Sequence, residues 1–487
     1  MNLLDLKTDD DFINSVVPEG YLLVFYSLDN NGNIVKRYKD SEGNFGTIGW
    51  SNSISDNEAN IIINESLSVI ENVSDEVNTL LIEANNISKQ LDNILGIDSD
   101  IPDDDTGNGD SGEEELNQTP LTFTAVEAMS TIKINTAGSP TVSGIRYRTD
   151  STGGWNVYSI GEEITLSNVG DYVQFKNVES ILNTSMLSCV NFAMTGRISA
   201  SGNIQSLLNY SNSCNEFCYI GMFNGCTSLV QAPELPATNL ANDCYSGMFS
   251  GCTSLVQAPE LPATILEGGC YEYMFNGCTS LVQAPKLPAT TLANNCYRDM
   301  FNGCTSLTQA PKLPATNLAN DCYRGMFNGC TSLVQAPELP ATTLANNCYW
   351  SMFNGCTSLV QAPELPATNL DFSCYEYMFY GCTSLVQAPE LPATTLTDYC
   401  YIGMFAECTS LVQSPELPAT NLAYRCYWSM FKGCTKLNYI KVNFTEWGDE
   451  TDGWVDGVSS TGTFIKPSRL RELYGINNIP IGWTVTN

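Results

Sequence analysis

Twenty cysteines, fifty-three carboxylates and no histidine set what this chain of 487 residues can do chemically. Without an imidazole there is no Ser-His-Asp or Cys-His catalysis, no histidine base and no histidine-containing zinc site. An enzyme made from it would have to work with carboxylates or cysteines alone. A carboxylate-based glycan hydrolase needs two acids facing one cleft, whereas the recurring acids, Glu234, Glu260 and their equivalents, read as solvated coil edges. The cysteines recur as C-x7-C, which lacks the short chelating spacing of zinc sites. Eight residues along a helix place two thiols about 12 Å apart, too far for a disulfide unless the coil bends. Buried thiols filling small core slots are the expectation, with disulfides and metal clusters as alternatives. No catalytic residue, cofactor or metal is expected.

The cysteine pairs belong to a 26-residue unit that opens at Cys218, Cys244, Cys270, Cys296, Cys322, Cys348, Cys374, Cys400 and Cys426. The copy at Cys296 reads CYRDMFNGCTSLTQAPKLPATNLAND. A fixed period of this length marks a stacked architecture in which each unit buries its apolar face against its neighbours. One coil is expected to run as a short helical turn carrying Met-Phe, a tight turn at Asn-Gly, a short strand around LVQA and an extended return held by prolines.

The other segments are read by composition and pattern. Residues 1–54 form a small β unit, a hairpin of YLLVFYSL and IVKRYK around Asn30 to Gly32. Residues 55–97 carry about five heptads with Ile63, Ile70, Val77 and Leu91 in one row and Val73, Leu80, Ile87 and Ile94 in the other. The β-branched content of both rows leans toward a parallel trimeric coiled coil; an amphipathic helix packed within its own chain is the alternative. Residues 98–119 form an acidic linker that lacks the ligand order of a calcium loop. Residues 120–178 alternate as a small β-sandwich-like domain, 179–217 cap the solenoid, 218–434 hold the nine repeats, and 435–487 form a C-terminal capping module. The expected class is mixed α and β, multidomain.

A formal charge of −32 repels nucleic acid and anionic lipid, and no stretch is long and apolar enough for membrane insertion. The opening MNLLDLKTDDDF has neither the basic nor the apolar region of a signal peptide, so the chain is expected to fold in a cytoplasm, where its cysteines stay thiols.

The informative positions are those that change between copies. The two residues after Cys-Tyr, and those just before the first Cys, vary from unit to unit and align into one stripe when the coils stack. Tyr273, Arg298, Arg324, Trp350, Phe372, Tyr377, Tyr399, Tyr424 and Trp428 fall in it, with Glu272 and Glu376. Aromatic area mixed with arginine and carboxylate suits recognition of a glycan or a protein. Unconstrained surface variation is the simpler reading.

With its MF-x-GC-TSL core and AP-x-LPAT-x-L return, the unit resembles the 26-residue surface-protein variety of BspA-like leucine-rich repeats found in Bacteroidetes proteins and in the fibres of their phages. The IKVNFTEW, WVDGV, TGTFIKP and IPIGWTV segments resemble the end module that accompanies such repeats. This resemblance implies a right-handed leucine-rich-repeat-type solenoid used for adhesion, with no catalytic residues to carry over. The order of segments further suggests a virion protein assembled in the host cytoplasm. On that reading it is a trimeric head or tail fibre, bound to capsid or tail proteins through residues 1–54 and to a host-surface or mucosal glycan or protein through the repeats. A bacterial cell-surface adhesin and a non-adhesive capsid decoration are the alternatives.

Overall fold

In the computed structural model, residues 119–487 are described apart from 139–141, 143, 180–181, 184, 186 and 212, together with four strands near the N-terminus. The chain divides into two units, Met1–Gly112 and Glu113–Asn487.

In the first unit, Tyr21–Leu28 and Ile34–Asp40 pair antiparallel, with Leu28 opposite Ile34. Phe45–Gly49 adds antiparallel to the other edge of Ile34–Asp40, and Leu4–Asp5 pairs parallel with it.

The expected mixed α and β class is corrected. Among the described residues there is no α-helix; the only helical segments are two short 3₁₀ turns, Ile204–Leu208 and Asp449–Thr451. The coiled coil expected from Ile63, Ile70, Val73, Val77, Leu80, Ile87, Leu91 and Ile94 falls outside the described residues and is not carried forward. The helical turn expected to carry Met-Phe is also absent, for a reason visible in the backbone of each coil. In the copy at Cys296, Asn295, Asp299 and Gly303 have φ of 60°, 50° and 75°. A left-handed residue at every fourth position cannot belong to a right-handed helix. The run is instead a succession of tight turns whose N–H groups alternate in direction. Those of Cys296, Arg298 and Met300 donate within the coil to Ala293, Asn295 and Tyr297, while those of Tyr297, Asp299 and Phe301 donate to Cys322, Arg324 and Met326 of the next coil. Every buried amide in the run is thereby paired without a helix.

The second unit begins with two sheets. One holds, in spatial order, Leu229–Gln231, Ile198–Ser201, Leu121–Ala125, Tyr172–Asn177, Ile145–Arg148 and Asn156–Val157; the other holds Cys189–Thr195, Ser130–Ala137 and Ile164–Leu166. Tyr172–Asn177 alternates half-buried and buried residues, the period of a strand with one face in a core. Phe123 lies 4.8 Å from Phe192 and 5.9 Å from Phe175 between ring centroids. Residues 179–217, expected as the solenoid cap, are therefore shared: Cys189–Thr195 and Ile198–Ser201 complete the sheets. Ile198–Ser201 also pairs parallel with Leu229–Gln231 of the first coil, so the β module continues directly into the repeats.

Along the repeats the invariant Cys, Tyr, Met, Phe, Cys and Leu of each coil point inward and are buried. Phenylalanines stack from Phe192 and Phe223 through to Phe431, with neighbouring centroids 5.3–5.8 Å apart. Tyrosines stack from Tyr219 to Tyr427 at 5.4–6.0 Å. On the return side, Gln257, Gln283, Gln309, Gln335, Gln361, Gln387 and Gln413 form a column of parallel bridges.

The stack does not stop at Cys434. The N–H groups of Tyr427, Ser429, Phe431 and Gly433 donate to Glu450, Asp452, Trp454 and Asp456, repeating the coil-to-coil pattern. Gly453 and Gly457 (φ 63° and 78°) take the left-handed positions, and Trp454, at the methionine position of the coil, lies 6.1 Å from Phe431 where the phenylalanine column ends. Gln413–Leu417, Tyr439–Val442, Thr463–Ile465 and Thr484–Thr486 form one all-parallel sheet across this end. The C-terminal module is a shortened continuation of the solenoid.

Candidate recognition surface

The thiols are structural. All twenty cysteines are free. The second thiol of each repeat donates to the carbonyl of a phenylalanine behind it at 3.0–3.1 Å, Cys252 to Phe223 and Cys330 to Phe301 among them. Burial pushes these thiols up, to about 12 at Cys278, Cys356 and Cys408. At the first coil, Cys214, Cys218 and Cys244 titrate together: hydrogen bonds from Cys218 and Cys244 favour charge on Cys214, while burial pushes Cys218 and Cys244 far up. Since reaction needs an accessible thiol that can ionise, a thiol reagent at pH 8 should label only Cys189, the one half-buried thiol, in the folded protein and all twenty after denaturation. Rapid labelling of the repeat cysteines in the folded protein would contradict this packing.

The variable stripe lies on the edge made by the succession of turns. Its residues occupy four neighbouring columns: two just before the first Cys, and two formed by the residues after Cys-Tyr. They gather into two groups.

The first group spans the coils from Cys270 to Cys348 and joins aromatic rings to ions. Arg298 reaches Glu272 at 3.3 Å and Asp299 at 3.6 Å, with its guanidinium 5.7 Å from the Tyr273 ring. Arg324 pairs with Asp321 at 3.3 Å and lies 3.5 Å from the centroid of the Trp350 ring in the next coil. Stacking a guanidinium on an indole leaves its N–H edge free for carboxylates. The Trp350 indole N–H is buried with no partner.

The second group is mostly aromatic. Phe372 meets Tyr399 edge-on at 5.2 Å, and Tyr399 meets Tyr424 edge-on at 5.4 Å. Arg425 lies 5.2 Å from the Tyr424 ring and 4.8 Å from Trp428. Phe372 and Tyr424 are each 46% exposed, high for large rings and suited to presenting a flat apolar face. Tyr377 packs instead edge-on against Tyr380 of its own coil at 5.9 Å, with its ring over Gly403, where a methyl group would collide with it.

The second of the two columns after Cys-Tyr coincides with the central left-handed position of each coil. Gly221, Gly247, Gly325 and Gly403 take it in four coils, but Tyr273, Asp299, Ser351, Tyr377 and Ser429 take it at φ of 50–54°. A side chain there costs about 1–2 kcal/mol relative to a right-handed residue.

Burial raises the carboxyls of Glu272 and Glu376; Arg298 pulls Glu272 back, and Ser373 and Arg324 pull Glu376 back. A raised folded-state value carries no penalty below the ordinary carboxylate range and a full one once pH exceeds the raised value, so this contribution falls as pH rises. Glu376→Gln should therefore raise the thermal midpoint at pH 7 by on the order of 1–2 °C and leave it unchanged at pH 3.5, below the ordinary glutamate value of about 4.3. Equal shifts at both pH values would contradict the assignment.

A second surface escaped sequence reasoning. Val256, Val282, Val334, Val360, Val386 and Val412 form an exposed row beside the glutamine column. Its signal was present as the Val of each LVQ, but a residue constant in nearly every copy reads as core. Among the described residues, no group of three or more cysteine or acidic side chains is placed to hold a metal ion. In comparison with known proteins, the chain matches no family model, no curated protein and no solved structure.

Proposed function

We propose that the solenoid is a binding rod whose variable turn edge recognises a glycan or protein surface, and that the chain is the adhesive part of a phage fibre. The fibre setting rests on the resemblance of its repeats; the binding role rests on the geometry. The observation that carries it is the placement of Tyr273 and Tyr377 at φ of 54° and 53°, where other coils use glycine. Strained positions that a neutral glycine would relieve are retained where the side chain does something else. The arginines support the same reading: Arg298 and Arg324 are held by acids and rings in fixed poses, so little order remains to be imposed on binding.

Tyr377→Gly tests this against mere surface variation. Relief of about 1–2 kcal/mol of left-handed strain is offset by about 0.5–1 kcal/mol of added backbone entropy and by the lost contacts of the ring with Tyr380 and Gly403, so stability should change little. Retention on host cells or on immobilised mucin glycans should fall. Unchanged retention in Tyr273→Gly and Tyr377→Gly proteins would sink the proposal.

A further inference from the structure

Where the stripe meets the C-terminal coils there is a concavity of about 270 Å³ lined by Thr420, Asn421, Leu422, Phe444, Thr445, Glu446, Trp447, Gly448 and Glu450. We infer that it is a subsite for one uncharged pyranose ring, the end residue of a glycan lying along the stripe; this rests on the stripe being the recognition surface.

Three features select that chemistry. First, Trp447 is a fixed wall. Its ring is wedged against Phe444 at 5.2 Å, Trp454 at 6.1 Å and Phe464 at 6.2 Å, and its indole N–H is already donated to the Arg471 carbonyl at 2.7 Å. With its polar edge engaged, the ring holds one side of the concavity in place and leaves the hydrogen bonding to its neighbours. Second, the hydroxyl-binding groups are of mixed type: carboxylates of Glu446 and Glu450 accept, while Asn421, Thr420 and Thr445 both donate and accept. Gly448 makes room for this set, since a methyl group there would collide with the Glu450 carboxylate. Third, no lysine or arginine lines the concavity, and the chain carries −32 overall, so uronates, sialates and sulfated sugars are repelled. The volume lies below the range of about 300–1,000 Å³ typical of drug-sized ligands, which fits one ring better than several.

The concavity also continues the stripe. Asn421 and Leu422 directly precede Ala423 and Tyr424 in the same coil, and the Tyr427 N–H donates to Glu450 at 3.0 Å. A chain crossing the Phe372, Tyr399 and Tyr424 rings would reach it end-on.

The test is saturation-transfer NMR on the full chain with the methyl glycosides of glucose, galactose and N-acetylglucosamine, and with methyl glucuronide as the charged control. At least one neutral glycoside should show transfer and the glucuronide none. Asn421→Ala and Glu446→Ala, both at the rim, should each weaken binding about tenfold, the loss of one good hydrogen bond. Transfer undiminished in both rim variants, transfer from the glucuronide alone, or none from any neutral glycoside overturns the subsite. Trp350→Ala separates the two readings: it should leave monosaccharide binding intact, so a failure of the stripe shows only in polysaccharide retention.

Discussion

Phe327→Ala should lower the unfolding free energy by about 3–5 kcal/mol, the cost of emptying a fully buried aromatic site. Phe327 is 0% exposed and stacks on Phe301 and Phe353, each 5.7 Å away at angles of 4° and 6°. Its neighbours repeat at fixed spacing and have nowhere to move, so the cavity persists. The loss should also be local in consequence, because each coil contacts only the coils beside it. Denaturant unfolding followed by tryptophan fluorescence should then separate from unfolding followed by circular dichroism. Tyr323→Phe is the control on the parallel column. The Tyr323 hydroxyl is buried and has no partner, so removing it should leave stability unchanged or raise it by about 1 kcal/mol. A destabilised Tyr323→Phe protein would show that the hydroxyl has a partner that this packing does not contain.

The second large effect concerns binding. Trp350→Ala and Trp428→Ala should each weaken attachment by about 2 kcal/mol, some thirtyfold, as for buried aromatic anchors at interfaces. Each loss has a structural route beyond the ring itself. Without Trp350, Arg324 loses the surface 3.5 Å away that fixes its guanidinium; without Trp428, Arg425 keeps only the Tyr424 ring, 5.2 Å away. Folding should be little affected, because both tryptophans are only half-buried at the edge. The control is the constant row: Val334→Ser and Val360→Ser should leave attachment unchanged. A non-adhesive decoration would show no difference between the two sets.

The period and the inward positions were legible because the core demands them. Cys, Tyr, Met, Phe and Leu recur where each coil must cover the next, and any polar replacement would be buried. The path of the backbone was not. Glycine marks the last of the three left-handed positions in most coils, but Asn295, Asp321 and Ser351 hide others, and the run between them then reads as a helix. The end of the stack was concealed in a similar way. Trp454, Val455, Gly457 and Val458 stand for the Met, Phe, Gly and Cys of a coil, but the shortened spacing removes the match that announces it. At the other end, the alternation of Cys189–Thr195 is that of a strand, and only its pairing with Ser130–Ala137 across a long loop assigns it to the β module. Stripe membership followed from period alone, whereas the pairing of Arg324 with Trp350 depends on which coil lies next to which and on side-chain direction.

The central claim is that the variable turn edge, and not the constant valine face, meets the target. Hydroxyl-radical footprinting of the full chain with and without mucin glycoprotein or intact host cells measures this side chain by side chain. Oxidation of Trp350, Trp428, Tyr424 and Phe372 should fall on binding, with Val256, Val334 and Val386 unchanged. Protection of the valines with the aromatic edge still fully reactive would contradict the account.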